Sequence, residues 1–178
     1  MPVSPSPPSS APQVWLLPDG GPQARLEPWL VHWQAQGYTR LEQHDWQRPL
    51  RGDWSARLQD TLVDAGAPVV LVASGLGCIL TAWWAAHSPL AAARVRGALL
   101  IAPTDVEDPL LREQLPGWAP IALKPLPFPC LVVGRTPPAD CSLERAQALA
   151  QAWGAAFVAL DDSAPDAGDT LLQTLLKD

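Results

Sequence analysis

The residues to test first for chemistry are Ala73-Ser74-Gly75-Leu76-Gly77. A continuous apolar run, Pro68 to Ala73, leads into them, and an apolar helix-like stretch, Cys78 to His87, leads away. Strand, tight glycine-containing turn and helix form the frame in which Gly-x-Ser-x-Gly presents a nucleophilic serine on a strained backbone. The frame is here without its serine. Two residues before Gly77 stands Gly75, and Ser74 comes one position early, which turns its side chain away from the site. The competing reading of the same five residues is a plain strand-to-helix turn.

A triad on this frame runs in the chain order nucleophile, acid, histidine. The histidines are His32, His44 and His87, so none follows the helix that starts at the turn. His87 lies near the far end of that helix, roughly 13 Å along its axis, and cannot reach back. His44 sits in a loop and could border the site, although a solvated loop histidine is the simpler reading. Cys78, in the first helical turn, is a substitute nucleophile on the strength of the macrodipole, but no imidazole is placed to activate it. Ser74 is no better. Asp140, Asp161, Asp162 and Asp166, with Asp19 across the mouth, could hold a cation or simply be solvated. The Leu76 and Gly77 N–H groups still head a helix and, with Gly20, could form a residual oxyanion or ligand site.

Composition narrows the function classes. The 178 residues carry 12 Lys+Arg against 18 Asp+Glu, a net charge of -6, with 48% hydrophobic residues. An acidic chain without a basic cluster is a poor partner for nucleic acid. No apolar run reaches the roughly 18–20 residues needed to span a bilayer, so no membrane is expected. Three widely spaced cysteines without a Cys-x-x-Cys suit reduced thiols in a cytoplasmic protein, with neither metal nor cofactor implied. Five of the 21 prolines fall in the first 13 residues, where Pro and Ser alternate. That stretch, 1–13, reads as a disordered leader, and 14–178 as one domain.

The elements that must position the turn alternate along the chain. Strand-like runs are expected at Val14–Leu17, Thr39–Gln43, Pro68–Ala73, Gly97–Ala102, Cys130–Val133 and Ala156–Leu160. Helices are expected at Arg25–Gln36, Asp53–Asp64 with Asp53 as the cap, Cys78–His87, Ser142–Trp153 and Asp169–Leu176, and a Pro-rich crossing at Pro116–Pro129. Six strands separated by helices imply a doubly wound, mostly parallel sheet. Of the nine tryptophans, Trp83 and Trp84 are adjacent on one helix and cannot share a face. One of them is expected to be partly exposed, which would favour a protein interface such as a homodimer, unless a neighbouring segment covers it.

Several segments in order carry a family likeness: Glu42-Gln43-His44-Asp45-Trp46, Pro49-Leu50-Arg51-Gly52-Asp53-Trp54, Val69 to Cys78, and Pro127-Phe128-Pro129 through Cys141-Ser142-Leu143-Glu144-Arg145-Ala146. Over roughly residues 14–165 the chain resembles the small serine hydrolases related to retinoblastoma-binding protein nine, a family that includes many bacterial α/β-hydrolases. The resemblance implies a compact α/β-hydrolase fold with an about six-stranded, mostly parallel sheet and helices on both faces. It places Gly75 on the nucleophile, Pro138 on the acid and Pro165 on the histidine, and Asp19-Gly20-Gly21 on an oxyanion-hole loop. The implied protein is a catalytically inactive hydrolase homologue that binds a small molecule or a protein partner. The alternative is an active esterase-like enzyme with a rebuilt site.

Overall fold

A computed structural model of the chain describes residues 12–136, 141–161 and 165–177. Six strands run in the order β1 (Gln13–Leu17), β2 (Thr39–Arg40), β3 (Val69–Ser74), β4 (Val95–Ile101), β5 (Cys130–Thr136) and β6 (Ala156–Asp161). They form one sheet of spatial order β2-β1-β3-β4-β5-β6, and every pairing is parallel. The helices are α1 (Pro28–Ala35), α2 (Arg51–Asp64), α3 (Leu76–His87), α4 (Ala91–Arg94), α5 (Pro109–Gln114), α6 (Leu143–Trp153) and α7 (Pro165–Leu176). The doubly wound parallel sheet expected from the alternation is the one observed, with every strand pair parallel.

The central strand shows why the fold is two-sided. All six residues of β3 are buried; Val69, Leu71 and Ala73 join one core with Trp54, Leu58 and Leu62 of α2, while Val70 and Val72 join the other with Trp29, Leu30 and Trp33 of α1. Alternating side chains thus feed opposite faces, which is why a continuous apolar run marks this strand.

Boundaries moved where local chemistry overrules apolar spacing. The first strand opens at Gln13, inside the expected leader, and residues 1–11 lie outside the described residues. Helix α1 starts at Pro28 and not at Arg25: the Glu27 carboxylate accepts from Trp29 N at 3.3 Å, and proline suits the first helical position. Helix α2 starts at Arg51 with Leu50 as its cap, so Asp53 lies in the first turn and is not the cap. Strand β2 is two residues long, and the Leu41 N–H still bonds Leu16 O at 2.8 Å. Helix α7 begins at Pro165, four residues before the expected start. Helices α4 and α5 are additional; α5 follows the Asp108 cap, whose carboxylate accepts from Leu110 N at 3.0 Å, and the Pro109 start.

Tryptophans fix the loops around the turn. Trp54 packs edge-on against both Trp46 and Trp118, with ring centroids 5.3 and 5.5 Å apart. The Pro-rich crossing is tied down by Trp118 Nε1 donating to Pro49 O at 2.9 Å and Trp153 Nε1 to Ala122 O at 2.7 Å. The half-exposed member of the adjacent pair is Trp83, whose ring is flanked by Arg51 at 3.4 Å and by His87, stacked on it at 3.8 Å. Among the described residues no helix is long and apolar enough to cross a membrane.

Candidate functional site

The turn after β3 keeps its sharp geometry. Gly75 has φ 54° and ψ -118°, a conformation that side-chain-bearing residues rarely adopt. It is pinned from both sides: Gly75 N donates to Ile101 O at 3.0 Å, and Gly75 O accepts from Cys78 N at 3.1 Å and Thr104 N at 3.3 Å. Gly77 lets the first turn of α3 sit on the end of β1, since a Cβ there would overlap Leu17 O. The turn therefore stands at the carboxyl edge of the sheet, where doubly wound folds carry their sites.

The place of a nucleophilic side chain is filled by Asp19. A Cβ added at Gly75 would overlap the Asp19 Cγ and Oδ1 and come within 2.6 Å of Oδ2. Asp19 Oδ1 accepts from Leu76 N at 2.7 Å and Gly20 N at 2.9 Å, and Oδ2 accepts from Arg25 N at 3.0 Å. Gly20 is pressed against Trp54, whose ring would collide with any Cβ at that position. Two of the three residues expected to form a residual oxyanion site, Gly20 and Leu76, thus converge on one acceptor. That acceptor belongs to the chain itself. The adjoining cavity, between Asp19, Thr104 and the Leu111–Leu115 segment, measures about 10 Å³, room for a single water.

The substitutes fare poorly as nucleophiles. Cys78 is fully buried, with Sγ 3.5 Å from both Ala73 O and Ile101 O. Burial, with the Asp19 charge as the next cause, pushes its thiol well above the ordinary range. Ser74 is 3% exposed, and its Oγ has no hydrogen-bond partner among the described residues.

No imidazole reaches the turn. His87 faces outward with Nδ1 2.8 Å from Trp83 O, and His32 Nε2 lies 3.5 Å from Asp169. His44 borders a separate crevice beside Arg48 and Asp53. At the ends of β5 and β6 the structure places a buried ion pair. Arg135 joins Glu27, stacks over the Trp29 ring at 3.9 Å and donates to Asp161 O at 3.4 Å. Pro165 is the first residue of α7, and Pro138 lies outside the described residues, as do Asp140 and Asp162. Asp166 is exposed in the first turn of α7. Among the described residues no three His, Cys, Asp or Glu side chains gather as a metal site, and the carboxylate of Asp19 is engaged by backbone N–H groups.

Glu27 and Arg135 are the site residues that sequence reasoning passed over. Asp19 was placed across the mouth as a possible cation ligand and on the loop after the first strand, but its position against Gly75 is set by the fold.

The serine hydrolase family profile matches residues 19–165 of the chain. Among solved structures, the ydeN gene product of B. subtilis is similar at a TM-score of 0.71 and 18% identity, covering 94% of this chain and 100% of that one. A YdeN-like hydrolase from Pectobacterium atrosepticum gives 0.67 and 21%, over 87% and 80%. Esterase 2 of Thermogutta terrifontis, in its apo form, gives 0.62 and 13%, over 97% and 83%. Among curated proteins, none matches the chain.

Proposed function

The chain belongs to the serine hydrolase family, and from that membership we propose that it is a pseudohydrolase: a member without hydrolytic chemistry that acts by binding a small ligand or a protein. The observation that carries this reading is Gly75, which stands at the elbow with the Asp19 carboxylate in the space a nucleophile would need. The missing base supports it, since His32, His44 and His87 all point elsewhere. Within the relatives of retinoblastoma-binding protein nine, Pro138 and Pro165 fall on the acid and the histidine, so the triad is degenerate at three separated points. Loss of a triad serine or histidine lowers the rate on the order of a millionfold. A ligand at the carboxyl edge of the sheet is favoured over a partner docked on Trp83, because Arg51 and His87 already pack on that ring. Three thiols suit the bacterial cytoplasm as the working compartment.

Fluorophosphonate labelling and p-nitrophenyl ester hydrolysis of the purified protein test the reading. The wild type is expected to be inert to both. A restored variant should need Asp19→Gly in addition to Gly75→Ser, Pro138→Asp and Pro165→His, because the new serine and the resident carboxylate exclude each other. Covalent labelling of the wild type would establish the opposite case, an esterase-like enzyme with a rebuilt site, and the modified residue would identify its nucleophile.

A further inference from the structure

The loop from β2 to α2 holds a crevice of about 290 Å³, lined by His44, Asp45, Arg48, Leu50, Asp53 and Trp54. The loop leaves a parallel strand, so the crevice lies at the carboxyl edge of the sheet, where such folds take their ligands. Its walls are fixed in advance. Trp54 is 1% exposed and packs edge-on against Trp46 and Trp118. Trp118 Nε1 donates to Pro49 O at 2.9 Å and Arg51 Nη1 to Trp118 O at 3.2 Å, which ties down the chain on both sides of Leu50. Asp45 Oδ1 accepts from Gln47 N and Arg48 N, each at 3.0 Å, and so sets the turn that carries Arg48. A site ordered before binding loses less of its contact energy to ordering.

The crevice carries both signs of charge. Arg48 and Asp53 line the same space, yet among the described residues neither side chain makes a hydrogen bond, an ion pair or a ring contact. Beside them Leu50 is 57% exposed. A guanidinium, a carboxylate and an uncovered apolar side chain around one gap are complementary to a molecule that bears a carboxylate, an ammonium and an apolar branch. A ligand of single charge would leave one of the two groups unanswered, and a phosphate ester would bring its charge up against Asp45 and Asp53.

We propose that this crevice binds a free α-amino acid with an aliphatic side chain, its carboxylate on Arg48, its ammonium on Asp53 and its side chain against Leu50 and Trp54. The planar guanidinium fork matches a carboxylate with two parallel hydrogen bonds, which a lysine could not supply. The volume stands at the lower end of ligand clefts and suits a molecule of this size. The proposal gives the binding reading a ligand class at a place apart from the elbow, and it holds whether or not the elbow has chemistry.

Leucine, titrated into the full chain at neutral pH and constant ionic strength and followed by amide chemical shifts, tests this beside two analogues: isocaproate, which lacks the ammonium, and isoamylamine, which lacks the carboxylate. Leucine should move the Leu50 and Arg51 amides saturably, with half-saturation at about 1 mM or below. Each analogue should bind at least about tenfold more weakly, since each forgoes a charge-assisted hydrogen bond. Arg48→Met should weaken leucine about tenfold or more and leave isoamylamine unchanged, whereas Asp53→Asn should weaken leucine and leave isocaproate unchanged. Both residues are exposed, so both variants should melt with the wild type; the analogues put the same question to the unaltered protein should either variant not fold. No saturable shift up to about 50 mM leucine, an analogue that binds as tightly as leucine, or an unchanged leucine affinity in either folded variant overturns the proposal. Fluorophosphonate labelling of the wild type would sink the non-catalytic reading and leave these titrations unchanged.

Discussion

At Gly75 two requirements meet: a backbone at φ 54° and a space already taken by the Asp19 carboxylate. A serine at this position would suffer both, with about 1–3 kcal/mol from the backbone and a similar amount from overpacking. Gly75→Ser is therefore expected to destabilise the protein by roughly 2–5 kcal/mol in urea unfolding. In an Asp19→Gly background the overpacking part should vanish, leaving a coupling of at least about 1 kcal/mol in the double-mutant cycle. Strictly additive effects would mean that the two positions do not share the space. The pairing also explains why a glycine can persist at an elbow: the site is filled by a side chain from another segment and not left as a void.

Among the elements, α7 shows how closely the helices are fitted to the sheet. It lies beside α1, and a Cβ on Gly168 would come within 2.6 Å of the Trp29 ring, which is itself 2% exposed. Gly to Ala inside a helix ordinarily stabilises by about 1 kcal/mol. Here the sign should reverse, with Gly168→Ala destabilising by about 1–3 kcal/mol because Trp29 has no room to retreat. The same ring carries Arg135, whose guanidinium pairs with Glu27 at the amino end of α1, so the contact reaches the edge of the candidate site. A melting temperature for Gly168→Ala equal to or above wild type would contradict this packing.

The whole molecule should lose stability in alkali. Burial pushes the Cys78 thiol well above its ordinary value and the Cys130 thiol from 9.0 to about 11. The folded state then keeps protons that the unfolded chain releases near pH 9, so the unfolded state binds fewer protons and stability falls as pH rises from about 9 towards 11. Below about pH 8 these two thiols contribute no slope. Urea midpoints measured between pH 8 and 10.5 should decline, and Cys130→Ala should make the decline shallower. An unchanged slope in that variant would count against a proton held on Cys130. A thiol reagent at pH 8 should correspondingly spare Cys78 and Cys130 in the folded protein and reach the half-exposed Cys141 first.

Much of this was written locally. The apolar run at Val69–Ser74 and the Gly75 turn define the central strand and elbow, because a strand buried on both faces admits no polar alternation. Gly75 and the positions of the three histidines argued against triad chemistry before any fold was drawn. Short elements were less legible: α5 rests on an Asp108–Pro109 capping signal within a loop-like stretch, and the start of α1 depends on Glu27 and Pro28 more than on apolar spacing. Long-range placement was the tertiary structure's alone to decide. Asp19 and Leu76 are 57 residues apart, and Glu27 and Arg135 are 108 apart, so no local propensity encodes either meeting. Only the parallel sheet, by bringing the ends of β1, β3, β5 and β6 to one edge, sets a carboxylate on the elbow and an ion pair beside it.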